Sequence, residues 1–147
     1  MIKYICWFAL MLFTLSANAD TKGEWSYFGA DRGGSHYSTL KQIDKSNVDE
    51  LEVAWIHRTG EAQRRGAALA NEAKTEVTPI LVDNKLVFCT PFNRILALDP
   101  ATGEEHWAFE PEVNLELNVN YNCRGVAYWE DEIIDDDQLC GKRILFG

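Results

Sequence analysis

The chain has 147 residues, 46% of them apolar and 12% aromatic, which is enough for one ordinary domain and too apolar for a disordered segment. Its formal net charge is −9, which argues against nucleic acid as a partner. No glycine-rich phosphate loop follows a predicted strand, which argues against nicotinamide or nucleotide cofactors.

Residues 1–19 read as a signal peptide. Lys3 supplies a short positive region, Tyr4 to Leu15 is apolar, and Ala17-Asn18-Ala19 is a small-x-small cleavage site. Cleavage after Ala19 leaves Asp20 first, and the loss of Lys3 brings the net charge to about −10. The apolar run is too short to span a membrane, and Cys6 lies too early within it to carry a lipid. The mature chain, 20–147, is therefore expected to be exported to the periplasm with no transmembrane segment.

Trp25 to Gly34 is glycine-rich and aromatic and reads as an extended arm ending in a turn at Gly33-Gly34. Ser46 to Leu51 has a serine cap followed by acids, which predicts one short helix, and Val53 to His57 then reads as a strand. Glu61 to Lys74 is a polar insertion, either loop or one or two helical turns. From Pro79 the strands come quickly: Pro79 to Val82, Lys85 to Cys89, Arg94 to Leu98 and His106 to Phe109. Asp83-Asn84 suits a two-residue hairpin loop because both residue types tolerate positive φ. A later pair is predicted at Gly125 to Trp129 and Arg143 to Phe146.

Ala97 to Trp107 is the most informative stretch. A strand end is followed by Asp99, which can accept backbone hydrogen bonds, then by Gly103, which supplies positive φ, then by Trp107 on the returning strand. A large ring repeated at that offset suits a docking contact between neighbouring blades of a β-propeller. The turn occurs once, and the chain stops at Gly147 within a predicted strand, so the expectation is the start of a longer repeat protein.

Cys89 falls in an apolar strand and reads as a buried thiol, whereas Cys123 and Cys140 bracket an acidic loop and are expected to pair. The alternative is three free thiols. The acidic runs Glu130-Asp131-Glu132 and Asp135-Asp136-Asp137 lack the glycine turn of a calcium loop and read as solvated surface. His36, His57 and His106 have no ligand spacing and read as surface or packing residues.

Taken together, several segments resemble the pyrroloquinoline quinone (PQQ) dehydrogenases, and most closely their glucose dehydrogenase branch. They are Tyr27-Phe28-Gly29 with Tyr37-Ser38, Leu40 to Ile43, Asn47-Val48, Ala54-Trp55, Arg58-Thr59-Gly60, Glu76 to Pro79, Cys89-Thr90, Ala97 to Trp107 and Cys123 to Tyr128. The resemblance implies an all-β fold: the first blade and part of the next of an eight-bladed propeller, incomplete in this chain. It also implies PQQ and a calcium or magnesium ion near the propeller axis, with most of the metal ligands outside this chain.

By the same resemblance, Glu76 matches a glutamate beside the cofactor and Arg124 an arginine at the quinone's polar edge. A guanidinium fork binds a carboxylate or an ortho-quinone oxygen at two points, as lysine does not. Without the resemblance, Arg124 reads as half of a blade-to-blade salt bridge and Glu76 as a surface carboxylate. Two departures bear on substrate. Cys123 follows Asn122, so the adjacent-cysteine ring of some alcohol-oxidising relatives is absent, and Phe92 stands where sugar-oxidising relatives commonly have a histidine.

The implied activity is oxidation of a sugar or other alcohol at C–OH by hydride transfer to the quinone, an aspartate taking the hydroxyl proton. That aspartate lies beyond the matching region. No catalytic residue is therefore assigned, and these 147 residues alone are expected to show no turnover. The electron acceptor after the quinol, a quinone or a cytochrome, is left open. The competing reading is a non-enzymatic propeller scaffold of the cell envelope that shares the tryptophan turn.

Overall fold

The computed structural model describes residues 25–114, 121–131, 133 and 138–147. The predicted signal peptide and the second acidic run, Asp135-Asp136-Asp137, lie outside them. The described residues form six strands: β1 (Ile80–Val82), β2 (Lys85–Cys89), β3 (Ile95–Leu98), β4 (Glu105–Phe109), β5 (Ala127–Glu130) and β6 (Lys142–Leu145). The first four form one antiparallel meander in the order β1-β2-β3-β4, and β5 and β6 form a separate antiparallel hairpin.

Turn chemistry fixes this register. Asp83 and Asn84 have φ of 47° and 55°, the pair of left-handed residues that a twisted two-residue hairpin requires, and Val82 consequently pairs with Lys85. Between β3 and β4, Asp99 Oδ1 accepts from the backbone N–H of Ala101 and of Thr102, each at 2.8 Å. Those two donors, Thr102 foremost, hold the Asp99 carboxyl below its ordinary pKa. Gly103 then closes the turn with φ of 73°, donating to Asp99 O at 2.9 Å.

The core lies between the two sheets. Alternate residues of the meander, Ile80, Val82, Val87, Cys89, Ile95 and Ala97, meet Cys123 and Val126, with Tyr128 and Ile144 of the second sheet packed against them. Leu96 and Leu98 are buried as well, so β3 is covered on both faces. Each such side chain removed from water contributes about 1.5–3 kcal/mol. By contrast β4 is exposed along its length. Its Trp107 lines a groove of about 200 Å³ with Val87, Tyr128 and Ile144, so the ring stands between the two sheets.

Three local expectations need correction. Val53 to His57 is not a strand: it is irregular, Val53 and Ile56 point to solvent, and side chains rather than a ladder fix it. Trp55 Nε1 donates to Pro100 O at 3.1 Å, and His57 Nδ1 lies 3.2 Å from Gly103 O. Ser46 to Leu51 does hold a short helix, a 3-10 turn at Val48–Glu50, but its cap is Asn47 and not Ser46, whose hydroxyl donates to Asp44 Oδ1. The third concerns the disulfide. Cys123 is bonded to Cys89, and Cys140 is free and exposed on the turn before β6. Cys89 ends β2 facing the core that Cys123 enters, which brings their Cα atoms within 6.0 Å.

The polar insertion resolves into two short helices, α1 (Glu61–Arg65) and α2 (Ala67–Glu72), separated by Gly66. Upstream, the arm extends the meander: Trp25 O accepts from Leu81 N–H at 2.8 Å at the β1 edge.

Candidate functional site

The strand β1 is preceded by Lys74 to Pro79, and β5 by Tyr121 to Val126. The two segments lie side by side, joined where Lys74 N–H donates to Tyr121 O at 3.0 Å. Successive residues of an extended chain point to opposite sides. Cys123 faces the core and its disulfide, so Asn122 and Arg124 face the other way, toward Glu76.

There Asn122 Nδ2 donates to Glu76 Oε2 at 2.8 Å, and Arg124 Nε lies 3.9 Å from the same oxygen. These groups, with Glu72, Lys74 and Tyr121, line a cleft of about 410 Å³. The Arg124 side chain is 83% exposed, so its loose pairing with Glu76 contributes little stability. It leaves the guanidinium free to turn onto an anion entering the cleft.

The floor of the cleft continues inward. Tyr121 packs on Phe92 with ring centroids 5.0 Å apart, and the Arg65 guanidinium lies 5.7 Å from the Phe92 centroid. Phe92 is buried and sits behind Tyr121 rather than in the cleft wall. Arg65 also pairs with Glu110, which takes Arg64 as a second partner and Arg94 Nε at 3.6 Å as a third. Burial pushes the Glu110 carboxyl up, but the hydrogen bond from Arg64 and the charges of Arg64, Arg65 and Arg94 outweigh it and hold the group below its ordinary value. This cluster ties α1 to the end of β4 beside the cleft floor.

The structure thus brings Glu76 and Arg124 together and places the histidines elsewhere. His57 and His106 lie at the Asp99 turn, the latter 3.8 Å from Asp99 Oδ2, and His36 stands edge-on to Phe28. Asn122 and Tyr121 were not singled out by sequence reasoning. The alternation around Cys123 was the signal that could have found Asn122. Among the described residues no group of three or more His, Cys, Asp or Glu could hold a metal ion, so the implied calcium or magnesium finds no ligand set in them. No helix among them is long and apolar enough to cross a membrane.

Residues 25–147 match the family described as PQQ glucose/ethanol/alcohol dehydrogenase, β-propeller domain. The chain belongs to that family. Among its PQQ dehydrogenase relatives, the quinoprotein glucose dehydrogenase of Escherichia coli (strain K12) is 39% identical over 130 residues, 83% of this chain and 16% of the relative. Quinoprotein glucose dehydrogenase A of Acinetobacter calcoaceticus is 37% identical over 110 residues, 74% of this chain and 14% of the relative. The solved structure of quinohemoprotein alcohol dehydrogenase ADHIIG from Pseudomonas putida HK5 superposes with a TM-score of 0.53 at 28% identity, over 74% of this chain and 15% of that one. The meander is accordingly one blade of the PQQ dehydrogenase propeller, and the β5–β6 hairpin is part of the next. The chain spans only about a sixth of the length of these relatives.

Proposed function

We propose that the protein is an exported PQQ-dependent dehydrogenase that oxidises a sugar or other alcohol, and that Glu76 and Arg124 lie at one edge of its quinone. The observation that carries this reading is the cleft itself. Glu76 comes from the start of the first blade and Arg124 from the start of the second, yet both meet at one polar opening.

The donor set fits such a ligand. PQQ is a flat tricarboxylate, and the cleft sets the exposed Arg124 guanidinium, the Lys74 ammonium and an amide against it, beside the carboxylates of Glu72 and Glu76. When bound, PQQ supplies the two-electron acceptor for the hydride of the carbinol. This chain's own residues bind and orient: Arg124 neutralises carboxylate or quinone oxygen charge, and Asn122 holds Glu76. Periplasmic export is supported by the signal-peptide pattern of residues 1–19, and calcium or magnesium by the family resemblance alone. Spanning about a sixth of their relatives, these 147 residues by themselves are expected not to turn over. The family match and the dehydrogenase relatives favour an enzyme over an envelope scaffold.

The test is to prepare the whole gene product without cofactor, add PQQ and calcium, and follow dye-linked oxidation of glucose and simple alcohols. Cofactor-dependent oxidation is expected. Failure to bind PQQ and to oxidise any of them would return the chain to the scaffold reading.

A further inference from the structure

We infer that Asn122 is a positioning residue for Glu76, setting the orientation of its carboxylate toward the group bound in the cleft. The inference rests on the reading of the cleft as a PQQ site.

A carboxylate only accepts hydrogen bonds when ionised, so the amide must present Nδ2 to Glu76 Oε2, as it does at 2.8 Å. The other end of the amide, Oδ1, is buried and has no hydrogen-bond partner among the described residues. Nothing there competes for the orientation of the amide. Its backbone is equally fixed, because the next residue, Cys123, is 1% exposed and covalently tied to β2 through Cys89. Glu76, by contrast, is half exposed, and its other contact is the 3.9 Å approach of the exposed Arg124. A hydrogen bond from a residue on an anchored backbone thus holds an otherwise loosely held carboxylate. The unpartnered Oδ1 remains available to accept from a donor on the ligand, which would add a direct contact.

The charged and titratable groups facing Glu76 in the cleft are Glu72, Lys74, Tyr121 and Arg124. Replacing Asn122 by Asp puts a second carboxylate at hydrogen-bond distance from Glu76, and the like charge disfavours the doubly ionised pair. Replacing it by Leu keeps the approximate volume and removes the donor.

The experiment titrates the cofactor-free whole gene product with PQQ, following quenching of intrinsic fluorescence between pH 5 and 8. Wild-type protein, Asn122→Leu, Asn122→Ser and Asn122→Asp are compared. Asn122→Leu is expected to weaken PQQ binding about tenfold, the loss of one hydrogen bond to a charged group. Asn122→Ser, which keeps a hydroxyl donor, is expected to fall between Asn122→Leu and wild type. Asn122→Asp is expected to show a binding constant that depends on pH more steeply than wild type, as the added carboxylate ionises beside Glu76. Wild-type-like affinity and pH dependence in both Asn122→Leu and Asn122→Asp would overturn the positioning role while leaving the PQQ site intact. A wild-type protein that takes up no PQQ would overturn both.

Discussion

The indole of Trp55 lies against Gly103 so closely that a Cβ built there would sit 2.6 Å from Trp55 Cδ2, while Nε1 donates to Pro100 O at 3.1 Å. Gly103 therefore has two reasons to lack a side chain: its φ of 73° and the ring above it. Gly103→Ala is expected to destabilise the fold by about 2–3 kcal/mol, one part the left-handed backbone and the other displacement of the ring. Trp55→Phe keeps a ring but loses the donor, at about 1 kcal/mol. Urea unfolding of the two variants measures both. A Gly103→Ala variant as stable as the parent would mean that Trp55 does not cover the turn.

The Cys89–Cys123 bond closes a loop across a sequence separation of 34 and joins the end of β2 to the wall of the cleft. On the chain-entropy account, its removal by Cys89→Ser with Cys123→Ser costs about 3–4 kcal/mol. Cys140→Ser should leave stability unchanged, since that thiol is exposed and free. Peptide mapping without reduction should recover Cys89 linked to Cys123 and an alkylated Cys140. A Cys123–Cys140 peptide would contradict the pairing.

Three arginines hold the Glu110 carboxyl below its ordinary value of 4.5 despite its partial burial. A carboxyl whose pKa is lowered on folding contributes stability above its unfolded pKa and loses that contribution as the pH falls through the folded one. Thermal unfolding followed from pH 7 to pH 3 should therefore show Glu110's contribution intact at neutral pH and fading below about pH 4.5. Glu110→Gln should lower Tm at pH 7 and flatten the acid limb. An unchanged acid limb in the variant would mean that the arginine cluster does not hold Glu110 in solution.

The blade was legible in the sequence because its determinants are local. Asp83-Asn84 and Asp99 to Gly103 each carry the residue types that their turns require, and the apolar strands between them have no competing period. Glu76 and Arg124 were reached through the family resemblance, and the structure adds that they face one another. What escaped was set by contacts distant in sequence. Val53 to His57 has strand-forming residues but is fixed by Pro100 and Gly103 instead of by a ladder. An apolar strand by itself marks Cys89 as buried and not as bonded; burial beside Cys123, set by the fold, is what allows the bond. Asn122 has no motif of its own, and its contact with Glu76 spans 46 residues.

The central claim, that Glu76 and Arg124 form one wall of a quinone site, is tested most directly by equilibrium titration of the cofactor-free whole gene product with PQQ, comparing wild type with Arg124→Lys. Saturable binding by wild type is expected, with the lysine variant weaker by about tenfold or more because an ammonium does not reproduce the two-point guanidinium contact. Equal affinity in the two proteins would return Arg124 to a surface salt bridge with Glu76 and contradict the account.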